Sequence, residues 1–470
     1  MDAAKIRAVD TEHSKRRTLV LIVAIVQFLT PFMFSAVGVA LPAIGREFSA
    51  AAVHLSLIEM VYVLAVALLL LPAGRFGDIH GRKKVFITGI VVLTLATIGL
   101  SLAPSILVMI LFRLVQGVGA ALITSTSLAI LTSVFPKEEL GRALAVVVSF
   151  VYLGIAAGPT LAGIMVSWLG WRWIFYSAVP IESLVLIITV FKFKEEWIGA
   201  PGEPFDFSGS ILYMGSLFCL IVGMTQLTAF GWAKFLVVVG VVGLILFLYH
   251  QSRQRYPLVE ISTFIGNKEF LFSCVATWLN YAAIFGVIFY FSIYLQVVKG
   301  LSPRNAGFIL AIQPVTQMLC ATLAGRLADK YNPASIATIG MAISTIALLV
   351  ALTLTPDSGF PLIVAILILM GIGFAIFATP NTKAVMGSVS RREYGMASSV
   401  ISTMRSTGAL TCMTLITLVI YYFMGENPVT METIDGFLSS MRVSFVLFAG
   451  MGSMAIVLSF YRLKRDGEKS

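Results

Sequence analysis

The sequence predicts an all-α membrane protein of fourteen spanning helices, and three observations lead there. The chain of 470 residues is 58% hydrophobic and only 12% charged, with a mean hydropathy of +0.95, more apolar surface than a soluble core can hide, so lipid must be the solvent. Apolar runs of the roughly 20 residues that cross a bilayer recur along the whole length, separated by short polar connections. A patterned block also returns about 250 residues later, the mark of an internal repeat.

The polar stretch 1–17 carries Lys5, Arg7, Lys15, Arg16 and Arg17 ahead of the first apolar run, 18–42. That run is too long for a signal-peptide core and has the length of a spanning helix. Further runs lie near 52–73, 85–103, 106–133, 143–168 and 173–191, making six helices in the first half. The remaining eight lie near 208–229, 235–250, 270–296, 306–324, 335–354, 362–386, 396–424 and 443–461. An even count puts both ends on one side. The positive-inside rule tests it, because one missed helix would invert every later loop. With the termini in the cytoplasm, the outer loops hold only Arg46, Arg172, Lys234, Lys299, Arg304 and Arg442, and the spans only Arg113 and Arg405. Every other Lys and Arg falls on the cytoplasmic side.

Ala324-Gly325-Arg326-Leu327-Ala328-Asp329 matches Ala73-Gly74-Arg75-Phe76-Gly77-Asp78, Pro356 matches Pro104, and Gly371-Ile372-Gly373 matches Gly117-Val118-Gly119. The repeat carries the second helix onto the tenth, so two six-helix halves are separated by two extra helices. The expected organisation is a cytoplasmic tail over 1–17, a first half over 18–193, an inserted pair over 194–255, a second half over 256–463 and a tail over 464–470.

Composition also excludes function classes. The net charge of +10 is spread through short loops instead of forming one face, so it reads as topology and implies no nucleic-acid partner. Cys219, Cys274, Cys320 and Cys412 fall in apolar runs at unrelated spacings, which argues against a disulfide framework or a metal site. His13, His54, His80 and His250 are scattered without metal-ligand spacing or a nucleophile motif, so an enzyme is not expected.

The stretch with the most specific chemistry is Gly74-Arg75-Phe76-Gly77-Asp78-Ile79-His80-Gly81-Arg82-Lys83-Lys84, a tight charged turn between helices 2 and 3. Its glycines permit a sharp turn and close helix approach, and Asp78 sits among cations. A merely basic loop would explain the cations but not the glycines or the lone Asp. The pattern G-x-x-x-D-x-x-G-R-K resembles the signature loop of the major facilitator superfamily of secondary transporters. That resemblance implies a facilitator fold with the two halves as parallel repeats, and a conformational latch built on Gly74, Asp78, Gly81 and Arg82. The second copy, around Asp329, has Asn332-Pro333 where Gly81-Arg82 would stand, so its latch is expected to be the weaker.

Three more stretches extend the resemblance. Arg113-Leu114-Val115-Gln116-Gly117-Val118-Gly119-Ala120 looks like the family's R-x-x-Q-G-x-G-A motif of helix 4, which puts an arginine beside the central cavity. An intramembrane arginine is costly and functional by default, the alternative being a brace against backbone carbonyls. Gly154, Gly158, Pro159 and Gly163 in helix 5 are similar to the antiporter motif of the efflux branch, with Ala145 and Ala162 where it has glycine. Ordinary small-residue packing is the other reading. Trp171-Arg172-Trp173-Ile174-Phe175 resembles the W-R-W-I-F stretch of the fourteen-helix drug/proton antiporters, though two tryptophans also suit an interfacial belt. The resemblance implies a small-molecule substrate, protons and the bilayer as partners, no cofactor, and a monomer in the cell membrane.

One departure matters. The efflux branch usually carries an Asp in helix 1, and an Asn nearby, before an A-L-P ending; here Met33 and Gly38 stand at those places ahead of Ala40-Leu41-Pro42. The proton must then be carried elsewhere. Glu59 lies in helix 2, about 10 Å from its outer end at ~1.5 Å per residue, and Glu182 near the middle of helix 6. Low dielectric disfavours the charged form of a carboxyl, so either could take up and release a proton. Helix 2 borders the cavity in this family and helix 6 stands outside it, which favours Glu59. Glu182 is equally well read as a bond within the bundle. Candidate cavity residues are Arg113, Gln27, Asn280, Tyr281, Gln313, Gln317, Asn381 and Arg405, although membrane glutamines often serve only as interhelical glue.

Overall fold

In the computed structural model, which describes residues 3–193, 195–227, 230–259, 261, 266–389 and 394–467, the described residues form helices and connections, with no strand. The fourteen spanning helices are α1 (Ala3–Phe48), α2 (Ala52–His80), α3 (Arg82–Ser101), α4 (Ile106–Val134), α5 (Lys137–Trp168), α6 (Arg172–Lys192) and α7 (Phe207–Thr225). They continue with α8 (Ala233–Arg253), α9 (Lys268–Val298), α10 (Pro303–Lys330), α11 (Pro333–Ala351), α12 (Phe360–Gly387), α13 (Tyr394–Met424) and α14 (Ile434–Gly467). Lys194, which opens the inserted segment, lies outside the described residues, as do Met1 and Asp2 of the first tail and residues 468–470 of the last.

The helix count matches the sequence expectation, but several ends do not. The first helix begins at Ala3, so the polar stretch before Arg16 continues it as helix. The last begins at Ile434 rather than near 443. Hydropathy is lowered there by Asp435 and Arg442, yet Phe437, Leu438 and Met441 form a buried stripe, and Phe437 packs against Tyr290 with ring centroids 5.8 Å apart. Packing on one face extends a helix that average hydropathy ends early.

The repeat shows in how helices touch. A Cβ on Gly117 would run into the carbonyl of Tyr62, and one on Gly371 into the carbonyl of Gln313; Gly119 lies against Gly89 and Leu93, as Gly373 lies against Gly340 and Ser344. The same small-residue contacts therefore join α2, α3 and α4 in one half and α10, α11 and α12 in the other. In the inserted pair, α7 packs on α8 and also on α2 and α13, one helix from each half, with the Tyr213 hydroxyl donating to Ala67 O of α2 at 2.9 Å. Asp206 caps α7, and its Oδ2 accepts from Gln251 of α8 at 2.8 Å. Burial pushes the Asp206 carboxyl up, but the bonds from Gly209 N–H, His250, Gln251 and Ser208 outweigh it and hold the group below the usual carboxylate range.

An even number of crossings puts Arg16 and Ser459 on one face, the terminal face. On the opposite face the halves meet tightly. Gly307 of α10 abuts the Pro159 carbonyl of α5, and Gly163 abuts Pro303. Arg304 N donates to Ser167 at 3.0 Å and Ala52 N to Asn427 O at 3.1 Å. On the terminal face a cavity of about 360 Å³ separates the ends of α2 and α4 from residues 257–259 and the start of α13.

Candidate functional site

Helix α1 carries Pro31 and Pro42. A proline has no N–H, so Pro42 leaves the carbonyl four residues earlier, Gly38 O, without its helical donor. Ser292 of α9, in the other half, donates to that carbonyl at 2.6 Å, and Gln296 one turn on donates to Val39 O at 2.9 Å. These bonds join the halves near the opposite face and must break if it opens.

Glu59 meets the same point. It is 2% exposed, and a methyl group placed on Gly38 would lie 3.6 Å from Glu59 Oε1 and 3.7 Å from Ile288 of α9. Oε1 is buried and has no hydrogen-bond partner among the described residues. Gly38 thus lies beside a carboxyl presented from α2, at the seam between the halves.

Arg113 on α4 is 0% exposed and close enough to Glu59 for their charges to act on each other, without an ion-pair contact among the described residues. Its Nε donates to Ile58 O at 3.2 Å and its Nη1 to Gln116 Oε1 at 2.7 Å. The guanidinium stands 4.5 Å from the Tyr62 ring centroid, a cation–π contact that offsets part of the cost of burying the charge. The arginine thus braces a backbone carbonyl of α2, as one of its two sequence readings has it, with the Glu59 carboxyl within electrostatic reach. Glu182, 1% exposed, lies behind this group on α6, where its Oε1 bonds to Thr97 of α3 at 3.2 Å.

The remaining candidates gather mainly in the second half. Arg405 Nη2 donates to Thr382 at 2.8 Å, and its guanidinium carbon is 5.9 Å from the Tyr281 ring centroid. Tyr152 of α5 lies within side-chain reach of Gln317 and Thr379. Asn280 and Gln313 are buried, each with its side-chain oxygen unbonded among the described residues. Asn381 is tied to Ser273 O and Thr277, at 3.1 and 2.8 Å, as an interhelical brace. Gln27 is half-buried on α1. None of these residues lines the terminal-face cavity, whose walls include Gly74, Arg75, Asp78 and Arg82.

At the signature loop, Gly81 takes φ +120°, a conformation open mainly to glycine. The turn brings Arg82 Nε to Asp78 Oδ1 at 2.7 Å, while Arg82 Nη1 reaches Ala129 O and Ser133 Oγ of α4 at 2.9 and 2.5 Å. Asp78 O accepts from Gly199 N and Ala200 N, each at 2.9 Å, and Arg75 pairs with Glu203. The segment leading into the inserted pair is thus bound onto the loop, which sequence reasoning did not foresee. In the second copy, Asp329 pairs with Lys383 of α12 at 2.6 Å, and both side chains are largely exposed. The antiporter-type residues serve close contact: Gly154 abuts the Phe28 carbonyl and Gly158 abuts Ser35 of α1. Trp171 and Arg172 both bond to Glu47 of α1, at 2.7 and 2.6 Å, a partner that motif reading passed over.

The Major Facilitator Superfamily profile matches residues 23–266 and 273–470, nearly the whole chain. The chain belongs to the major facilitator superfamily. This facilitator is 29% identical over 378 residues to multidrug resistance protein Stp of Mycobacterium tuberculosis, across 79% of this chain and 70% of that one. It is 27% identical to the drug efflux pump JefA of the same species, across 84% and 78%, and 25% identical to the riboflavin transporter RibZ of Clostridioides difficile, across 83% and 86%. Among solved structures, a bacterial homologue of the lysosomal transporter Spinster aligns with TM-score 0.69 at 17% identity, over 95% of this chain and 97% of that one. A POT family transporter aligns with TM-score 0.71 at 16% identity, over 96% of each chain. The fold is that of a facilitator transporter, a multi-pass membrane protein and not an enzyme.

Proposed function

We propose that this facilitator exports lipophilic small molecules in exchange for protons, with both termini in the cytoplasm and Glu59 as the group that binds the proton. The observation that carries the reading is the position of Glu59. It is a buried carboxyl with an unbonded oxygen, near Arg113, at the point where α1 and α9 of opposite halves touch. Alternating access rocks one half against the other around a fixed site, so a group at the seam changes surroundings between states and with them its affinity for a proton. Relatives named for multidrug resistance and drug efflux support export, and the skew of Lys and Arg toward the terminal face supports a cytoplasmic location for the ends. The four-way meeting of Gly158, Ser35, Pro159 and Gly307 supports a role for the antiporter-type stretch in closing the opposite face.

A second reading is transport of a particular organic anion or metabolite. It is favoured by Arg405, which lies beside Tyr281 with Nε unbonded and no carboxylate partner among the described residues, and by the likeness to a riboflavin transporter. The two separate in proteoliposomes loaded in turn with a lipophilic cation and an organic anion, with and without an imposed proton gradient. Gradient-driven movement of the cation supports drug/proton exchange. Movement of the anion alone, lost in Arg405→Gln and retained in Glu59→Gln, supports the second reading.

A further inference from the structure

We infer that Glu182 is a positioning residue for the Glu59–Arg113 pair, acting through Thr97 and Gln116; this rests on the proposed role of Glu59. Helix α6 packs on α3, α1 and α5, and its carboxyl takes no part in the seam. Yet the side chains between it and Arg113 form one unbroken chain. Arg113 Nη1 donates to Gln116 Oε1 at 2.7 Å, Gln116 Nε2 donates to Thr97 Oγ1 at 3.1 Å, and Thr97 meets Glu182 Oε1 at 3.2 Å. All four residues are essentially sequestered, none more than 1% exposed.

The Thr97 hydroxyl has a single proton, and two acceptors lie within its reach: Glu182 Oε1, and Leu93 O at 2.9 Å. With Glu182 present as an acceptor, the hydroxyl can turn toward it and leave a lone pair for the Gln116 amide. That amide orientation in turn presents Oε1 to Arg113. Remove the acceptor and the hydroxyl turns to Leu93 O, which re-aims its lone pairs and loosens the alignment of the Gln116 amide that presents Oε1 to Arg113. Beyond Gln116, Arg113 is held by Nε on Ile58 O and by the Tyr62 ring, while Nη2 is buried and unbonded among the described residues. The titratable or charged groups around the chain are Glu59, Tyr62 and Arg113, with Tyr62 within electrostatic reach of both acids; Thr94 and Thr97 of α3 are the remaining polar neighbours of Glu182. Moving the guanidinium changes the field at Glu59, and hence the pH at which Glu59 takes its proton, although Glu182 never touches the transported ion.

The test follows the carboxyl band of Glu59 by infrared spectroscopy across pH in detergent-purified protein, identified by its loss in Glu59→Gln, alongside substrate-driven proton flux in proteoliposomes. Glu182→Gln keeps a polar partner for Thr97 and should leave the Glu59 midpoint near wild type. Glu182→Leu and Thr97→Val should each move it by roughly one pH unit, the scale of displacing a nearby charge. Thr97→Ser should restore it, and the double variant should move it no further than either single change, because both cut the same chain. Thermal melts of each variant exclude unfolding as the cause. An unmoved midpoint in folded Thr97→Val overturns the positioning role while leaving proton exchange intact, and so does a Glu182→Gln variant as impaired as Glu182→Leu. A shifted Glu59 band in protein that moves no protons overturns the proposed exchange and leaves the positioning role standing. A Glu59 carboxyl that never titrates overturns both.

Discussion

At the scale of single residues, the chemistry turns on the few charges that the membrane interior tolerates. Glu59 and Glu182 stood out in the sequence because acids in spanning helices are rare, and only the family resemblance favoured Glu59 over Glu182 there. Packing separates them: one carboxyl faces Gly38 and Ile288 at the seam, the other bonds to Thr97 inside one half. Glu59→Gln removes the titrating group at nearly constant volume, so substrate-driven proton flux in proteoliposomes should fall to background while binding of a neutral substrate survives. Persistence of flux at wild-type levels in Glu59→Gln would refute Glu59 as carrier. Arg113 was legible through its motif spacing, since Gln116 lies one turn away on the same face. Tyr62 was not, because an aromatic among 33 phenylalanines and 14 tyrosines carries no mark of standing over a guanidinium.

At the scale of helices, prolines and glycines decide where the two halves can hold each other. Pro42 frees the Gly38 carbonyl and Ser292 takes it at 2.6 Å. A buried carbonyl left without a donor costs about 1–3 kcal/mol, so Ser292→Ala should weaken the closed opposite face by roughly fivefold or more in population. The measurement is the distance distribution between spin labels at Arg46 and Asp357, whose long-distance fraction should rise. Pro42→Ala returns an N–H to Gly38 O, so the same serine change should matter much less in that background. Equal effects in both backgrounds would mean that the serine acts through some other contact. The sequence displays each proline and serine plainly, but pairing Ser292 with position 38 requires the relative rotation and depth of α1 and α9.

The signature loop belongs to the same scale. Asp78 is held by Arg82, its backbone by Gly199 and Ala200, and the loop by the turn at Gly81. The equivalent Asp329 makes a single ion pair with Lys383, with both side chains largely exposed, and such pairs contribute only about 0–1 kcal/mol. Asp78→Asn should therefore cut transport by about tenfold or more at unchanged membrane abundance, and Asp329→Asn by no more than about twofold. Equal loss at both positions would remove the asymmetry between the two copies. The degraded motif in the second copy announced this difference in the sequence. The substitute partner on α12 did not appear there, because it lies 54 residues away along the chain.

At the scale of the whole molecule, the inserted pair is the unusual element, since α7 rests on α2 of one half and α13 of the other. A helix touching both halves must slide on at least one of them when they rock. A topology reporter fused at Lys234 should lie on the face opposite to reporters fused after Arg255 and at the N-terminus. A reporter at Lys234 on the terminal face would reduce the bundle to twelve spanning helices.

Hydropathy, run length and the repeat already specify the solvent, the number of spans, the division into two related halves, and the few sites where charge interrupts an apolar run. These follow from local physics: a residue's hydropathy, the length of a run against the thickness of lipid, and the spacing of small residues along one helix. Which of those sites face one another is visible only once the helices are packed. Gly38 with Glu59, Ser292 with the carbonyl freed by Pro42, Tyr152 with Gln317, and Glu182 with Thr97 all join separate helices. Such pairings depend on the rotation, depth and tilt of each helix, which are set by packing against neighbours and not by hydropathy. In lipid the outer surface of a helix is as apolar as its buried face, so the sequence has no polar stripe to say which way each helix turns.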